Sequence, residues 1–277
     1  MTIIPDTPSQ LRLTPISRLA AGGRWRVEAM RSLREPVLLW FTQGQGRITV
    51  AGSTRAYGPN NAVFIPPGVM HGFEIAPRVQ GTVVFFGRNH GLDLPTTPHF
   101  LRPRDPISQK ELIATLEAIQ RELESARSGS QKAAQHHLGL LGVWMDRQLE
   151  RERAFETMPQ RPGAGQRLAA RYASLLERDF RSNRAVADYA EALGVTPTHL
   201  TRVCRTACGK GAHQLLEDRL LFEARRLLTE TRLPVKDVAE MLGFNSAGYF
   251  TRAFQKTAGV TPSAFRKKPA GPVVPRD

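Results

Sequence analysis

The chain is poor in the residues that mark several protein classes. Of its 277 residues only two are cysteines, Cys204 and Cys208. Four residues apart on a helix, their Cβ vectors would run side by side, a geometry that suits a disulfide poorly. Two sulfurs without matching His or Cys spacing make a weak zinc pattern. They read as small buried apolar residues in a reducing compartment. No run approaches the roughly 18 apolar residues that a membrane span needs. The start, MTIIPDTPSQLRL, has no basic segment followed by an apolar one. No secretory leader is therefore expected, and the expected location is the cytoplasm.

Acid is scarce as well. There are 25 Asp and Glu against 39 Lys and Arg, a net charge of +14. Residues 1–105 carry +6, residues 106–159 carry −1 and residues 160–277 carry +9. The basic C-terminal part suits a polyanionic partner. Charge alone does not separate a nucleic acid from an acidic membrane surface. With 41% hydrophobic residues the chain can bury a sizeable core, and its length is comfortable for two domains.

Periodicity divides the chain into three regions, an α+β organisation. Up to about residue 105, RWRVEAM, PVLLWFTQ, GRITVAG, NAVFIPP and GTVVFFG are short, β-branched or aromatic, and punctuated by turn residues. They predict an antiparallel barrel, closed or sandwich-like. Over 106–157 the period becomes helical, with Leu112, Leu116, Ile119 and Leu123, a break at SGS (128–130), then Leu138, Leu141, Met145 and Leu149. This predicts a helical hairpin. Its stripes either pack on the barrel or pair with a second copy, and dimerisation is the favoured expectation. MPQRPGAGQ (158–166) reads as a linker. Residues 166–268 are helical in pattern throughout, and the proline-rich tail 269–277 predicts disorder.

The helical region says one thing twice. VADYAEALG (186–194) and VKDVAEMLG (235–243) lie forty-nine residues apart. Val186, Tyr189, Ala190 and Leu193, like Val235, Val238, Ala239 and Leu242, fall at i, i+3, i+4 and i+7. Each copy is a one-sided helix that ends at a glycine able to cap it in the left-handed conformation. A second helix follows each. Thr196 is an N-cap with Pro197 behind it, and Asn245 or Ser246 caps the other. HLTRVCRTACG (199–209) aligns with YFTRAFQKTAG (249–259). Helix, glycine turn and helix with a basic outer face make a helix-turn-helix, whose second helix can enter a DNA major groove. HQLLEDRLLFEARRLLTET between the copies predicts one long helix. It would hold two reading helices in successive major grooves, about 34 Å apart.

The stretch EARRLLTETRLPVKDVAEMLGFNSAGYFTRAFQKTAGVTPSAFR, with GVTPTHLTRVCRTACG before it, resembles the signature of the AraC/XylS family of transcription regulators over about residues 166–268. One departure follows Gly209, where KGA stands in place of the proline many members carry. The resemblance implies activation more often than repression. Double-stranded DNA is the partner expected from the two basic units and a second copy, giving a homodimer, the one expected from the hairpin, with RNA polymerase as a further candidate partner. TPTHL is similar to members that govern aromatic-acid breakdown, which implies an aromatic acid as effector.

On the first reading helix Thr198, His199, Thr201, Arg202 and Arg205 lie away from the apolar face. The resemblance implies base-edge contacts at Thr198, Thr201 and Arg202. Arg205 reads as a phosphate partner, and His199 supports the backbone contact or packs. On the second helix Ala247, Gly248, Thr251, Arg252 and Lys256 face outward, with Ser246 at its start. Ala247 and Gly248 offer no side-chain hydrogen bond, so this unit should read fewer bases and lean on Arg252.

FIPPGVMHGFEI (64–75) resembles the second motif of cupin barrels, with Pro66, Gly68 and His71. The matching first motif, VLLWFTQGQGRITV, has no His and no acid, so a three-ligand metal site is not expected, and no cofactor is. The barrel is then expected to be an effector cup lined by Trp25, Trp40, Gln43, His71 and Phe73. Gln43 and Phe73 match effector-touching positions in sugar-responsive members. The rival reading is a cupin-type enzyme with an accessory helical domain. It would need a metal set or an acid–base pair, and only His71 with nearby Glu74 is in view. A sequence-neutral DNA organiser is disfavoured by the two-unit design.

Overall fold

The computed structural model describes residues 10–21, 23–155 and 162–267. The N-terminal part is built on two antiparallel sheets. The first has five strands in the order β1 (Arg12–Pro15), β7 (Gln80–Phe85), β2 (Val37–Gln43), β5 (Asn61–Ile65) and β8 (His99–Leu101). The second has three, in the order β4 (Ser53–Tyr57), β3 (Gly46–Val50) and β6 (His71–Phe73).

The sheets do not close into one barrel, which corrects the closed form of the expectation. β2 pairs with β5 and β7 while β3 pairs with β4 and β6, so no ladder runs from one sheet into the other. Side chains join them instead. Phe41 of the first sheet stacks on Tyr57 of the second at 3.9 Å between ring centroids. The chain passes between the sheets at Gly44, where φ is +79° and an added Cβ would lie 2.8 Å from the Arg78 carbonyl oxygen. Only glycine fits that backbone and that approach.

Strand alternation gives β2 two buried faces. Val37, Leu39 and Phe41 pack between the sheets with Ile48, Val50, Tyr57 and Phe73. Leu38 and Trp40 point the other way, into a second core. This is why VLLWF reads as a continuous apolar run. RWRVEAM, expected as a strand, holds instead a one-turn helix α2 (Trp25–Glu28), preceded by α1 (Ile16–Leu19). Arg24 and Glu28 form an i,i+4 ion pair at 2.7 Å. Val27 is buried between the sheets while Trp25 faces away from them, a division a strand cannot make with residues two apart.

Helices α3 (Pro106–Leu123) and α4 (Ser130–Phe155) pack along each other. Asp105 caps α3 by accepting from the Ser108 amide at 2.7 Å, with Pro106 behind it. The Trp144 indole on α4 donates to the Ser108 carbonyl at 2.9 Å. Leu112, Leu116, Ile119, Leu138, Leu141, Met145 and Leu149 are buried against the outer face of the five-stranded sheet, around Trp40 and Phe64. The stripes named for dimerisation are thus consumed by the sheet.

The C-terminal part is all helix: α5 (Ala164–Asp179), α6 (Val186–Ala192), α7 (Pro197–Cys208), α8 (Ala212–Glu230), α9 (Val235–Met241), α10 (Ala247–Ala258) and α11 (Pro262–Lys267). The expected linker ends inside α5. Residues 158–161 of it, and the tail 269–277, lie outside the described residues. Cys204 and Cys208 are free and buried, and the Cys208 thiol donates to the Cys204 carbonyl at 3.2 Å. Among the described residues no helix is long and apolar enough to cross a membrane.

The two parts share a core. Met30 and Met70 are buried with Leu176, Leu200, Leu215 and Leu227 of the helical part. Trp25 meets Phe222 at 5.6 Å and Phe265 at 6.1 Å. The Ser32 hydroxyl donates to Glu177 at 2.6 Å. Glu177 also accepts from Arg219, which is 4% exposed, at 2.6 Å and bridges to the equally buried Glu223. Burial alone would raise the Glu223 carboxyl. The hydrogen bond from Arg226 and the charges of Arg219, Arg226 and Arg181 override it and hold the group at about 2.

Candidate nucleic-acid interface

The repeated segments fold alike. α6 and α9 end at Gly194 (φ +70°) and Gly243 (φ +77°), and the chain turns there into α7 and α10. The Thr196 hydroxyl accepts from the His199 amide at 3.2 Å, and Ser246 accepts from the Tyr249 amide at 3.1 Å. These side chains satisfy first-turn donors that a helix leaves unpaired. Both helices stop at a left-handed glycine, Gly209 and Gly259. Leu200, Val203 and Cys204 of α7, and Phe250 and Phe254 of α10, are buried. That fixes which faces turn outward.

On α7 the outward face carries Thr198, Arg202, Arg205 and Thr206, all exposed, with His199 and Thr201 half-buried. Thr198, Thr201, Arg202 and Arg205 border one surface depression together with Thr206 and His213. The last two were missed by sequence reasoning. Thr206 was legible, since it aligns with Lys256 in the repeat. His213 was not, because only the fold brings the start of α8 beside α7. Arg202 Nη2 and His199 Nδ1 lie 3.1 Å apart.

On α10 Ser246, Arg252 and Lys256 are exposed, while Ala247 and Thr251 are half-buried. Tyr249, 59% exposed, stands on the same face. It occupies the repeat position of His199, so the signal existed and went unused. Its ring leans on Phe244 at 5.9 Å.

The five residues expected to form an effector cup are not brought together. Phe73 lies between the sheets, edge-on to Phe41 at 6.0 Å. Trp40 is 1% exposed and turned into the helical core on the opposite face of β2. Trp25 lies against the helical part, and Gln43 is exposed at the end of β2. His71 is buried, its Nδ1 2.9 Å from the Val69 carbonyl. Burial pushes its imidazole down to about 3, the Arg31 charge adding to the effect and the Val69 carbonyl opposing it. Among the described residues no three His, Cys, Asp or Glu side chains gather as a metal-binding group.

A polar cleft of about 420 Å³ opens instead between the three-stranded sheet and the end of α7. Glu28, Arg47, Thr49, Thr54 and Glu74 line one wall together with Phe73, the one expected effector residue that borders it, and Cys208, Gly209 and Lys210 line the other. Lys210 forms an ion pair with Asp218.

Two antiparallel sheets packed on a C-terminal helical domain define the class. The chain belongs to the AraC family: the model of the AraC-like ligand binding domain matches residues 15–184, and that of a helix-turn-helix domain matches residues 189–268. The arabinose operon regulatory protein of Escherichia coli (strain K12) is 34% identical over 85 residues, 31% of this chain and 29% of its own length. The alignment thus spans under a third of that relative. The uncharacterised HTH-type transcriptional regulator YijO of the same strain is 26% identical over 250 residues, 84% of this chain and 81% of its own. A crystal structure of ToxT from Vibrio cholerae aligns over 94% of this chain and 98% of that one, at 12% identity and a TM-score of 0.43.

Proposed function

We propose that the protein is a sequence-specific regulator of transcription. It reads double-stranded DNA with α7 and α10, and a small effector adjusts how those helices are presented. The observation that carries this is the outward face of α7. Arg202, Arg205, Thr198 and Thr201 border one concavity, on a helix whose other face is the core of its domain. A guanidinium can bond a guanine edge bidentately and a threonine methyl can pack on thymine. Arg205 and Lys256, nearer the helix ends, suit phosphate. α10 offers Arg252, Thr251 and Tyr249 but only Ala247 and Gly248 at its start, so it reads fewer bases.

The effector reading moves from the space between the sheets to the cleft beside α7. That interior is filled by Phe41, Tyr57, Phe73 and their neighbours. The cleft joins a wall of the N-terminal sheet to the end of the first reading helix. An occupant touching both has a differential affinity for arrangements of the two parts, which coupling requires. Arg47 and Lys210 on opposite walls suit a small molecule bearing an acid group, and aromatic acids are the first to try. Pairing with a second copy falls to a stripe on α4 that the sheet leaves uncovered, Leu140 (57% exposed) and Val143 (44% exposed).

The test is selection from a randomised duplex pool, followed by footprinting of the enriched sequence with and without aromatic acids. Enrichment of a two-box site with protection over two successive major grooves supports the reading. Equal binding to all sequences, or none, overturns it.

A further inference from the structure

The two glycine turns look equivalent in the repeat, and the structure makes them different. Gly194 and Gly243 share a left-handed backbone, φ +70° and +77°. A Cβ added at Gly194 would meet nothing within 4 Å. A Cβ at Gly243 would lie 2.5 Å from the Arg181 carbonyl oxygen and 2.9 Å from the Asn183 amide nitrogen. Both are backbone atoms of the loop that enters α6. The turn of the second unit is therefore seated on the loop of the first.

That loop is itself held from several sides. The Asp179 carboxylate pairs with Arg184 at 2.7 Å, and the Asp179 carbonyl accepts from the Ser182 amide and hydroxyl at 2.9 and 2.6 Å. Arg181 reaches Glu223 on α8 at 2.5 Å. Asn183 takes the left-handed conformation (φ +57°), which Asn tolerates better than most residues. Its Nδ2 donates to Asn245 Oδ1 at 3.1 Å, across the same seam and sixty-two residues away in the chain.

We infer that the seam formed by Gly243, the Arg181–Asn183 backbone and the Asn183–Asn245 hydrogen bond fixes the offset between the two reading helices, and so sets the base-pair spacing of the DNA site. This rests on the DNA-reading function proposed above. Both units pack on α8 within one hydrophobic core. The seam adds a direct contact between the two units, off the axis of that helix, so the offset of α10 from α7 rests on more than their separate packing on α8. Gly243, Asn183 and Asn245 are positioning residues: they act through where they hold α10, not through contact with bases.

The two glycines supply a matched control. Gly194→Ala and Gly243→Ala carry the same left-handed backbone strain, and only the second also meets a neighbouring backbone. The full chain, Gly194→Ala, Gly243→Ala, Asn183→Gly and Asn245→Ala are each taken through duplex selection. Affinities are then measured on the enriched site with its two boxes moved apart or together by one base pair. Circular dichroism checks that each variant is folded, and the two Asn variants alter only exposed side chains.

The expected result is an unchanged spacing optimum for Gly194→Ala with at most a threefold loss of affinity. Gly243→Ala should lose at least tenfold at the natural spacing and shift or broaden the optimum. The Asn variants should broaden it with a smaller loss. Identical spacing profiles for the two alanine variants, with the Asn variants unchanged, overturn the inference. If Gly243→Ala fails to fold, the Asn variants decide by themselves. Failure of the unsubstituted chain to enrich any sequence is a separate result, which removes the DNA-reading function itself.

Discussion

Trp25 packs its indole against Phe222 at 5.6 Å, joining a one-turn helix of the sheet domain to the middle of α8. Phe265 closes on the same ring at 6.1 Å, and the Arg225 guanidinium lies 5.6 Å from the ring centroid. The ring is thus a fastener between the two halves of the molecule. Trp25→Ala should cost about 2 kcal/mol, below the usual range for a fully buried aromatic because this one is half-exposed. It should also split a single thermal transition into two, measured by calorimetry. A single transition at an unchanged temperature would deny Trp25 this role.

On α7, Arg202 and Lys256 of α10 should fail differently. Arg202→Ala should lose about 1–3 kcal/mol on the specific duplex and little on a scrambled one, relaxing sequence choice. Lys256→Ala should weaken both duplexes alike and reduce the salt dependence of binding by about one phosphate's worth. Titrations on the two duplexes at several salt concentrations separate these outcomes. Equal losses from both variants on both duplexes would remove the base-reading role of Arg202.

His71 makes stability depend on pH. In the folded chain burial holds the imidazole near 3, against 6.5 for an unburied group. Between those values the unfolded chain binds a proton that the folded chain does not. The folded state is therefore penalised as pH falls below about 6.5, by about 1.4 kcal/mol per pH unit, and the penalty is absent above it. Roughly 2 kcal/mol should separate pH 7 from pH 5 on this account. His71→Gln should flatten that part of the profile in urea melts. A variant whose profile parallels that of the natural chain would assign the pH dependence elsewhere.

Leu140 and Val143 lie three residues apart on α4, exposed beside the buried stripe that faces the sheet. Leu140→Glu should convert a dimer to a monomer in sedimentation while leaving the circular dichroism spectrum unchanged, because the side chain is free of the core. A natural chain that already sediments as a monomer would sink this assignment.

Much of the helical half was legible because its signals are local. Caps at Thr196 and Ser246, turns at Gly194 and Gly243, and periodic apolar faces each occupy one or two turns of chain, and the repeat states them twice. RWRVEAM misled because a segment of alternating apolar residues satisfies a strand pattern and a one-turn helix about equally. Tertiary contacts of Val27 and Trp25 on opposite sides decided it. Sequence alone did not show that the expected effector residues are spread over different surfaces, with only Phe73 bordering the cleft beside α7. Trp40, His71 and Phe73 are all buried, and burial does not say toward which core.

Taken alone, the amino-acid order determined the caps and glycine ends of α7 and α10, the duplicated unit, the basic character of its outer faces and the strand-rich first hundred residues. All of these follow from neighbours within a few positions. Three things waited for the tertiary structure: which face of β2 meets which core, that the stripes of α3 and α4 cover the sheet, and that Gly243 rests on the backbone of Arg181 and Asn183. Each depends on groups tens of residues apart meeting at van der Waals distance, and local spacing carries no record of which distant surface completes a contact.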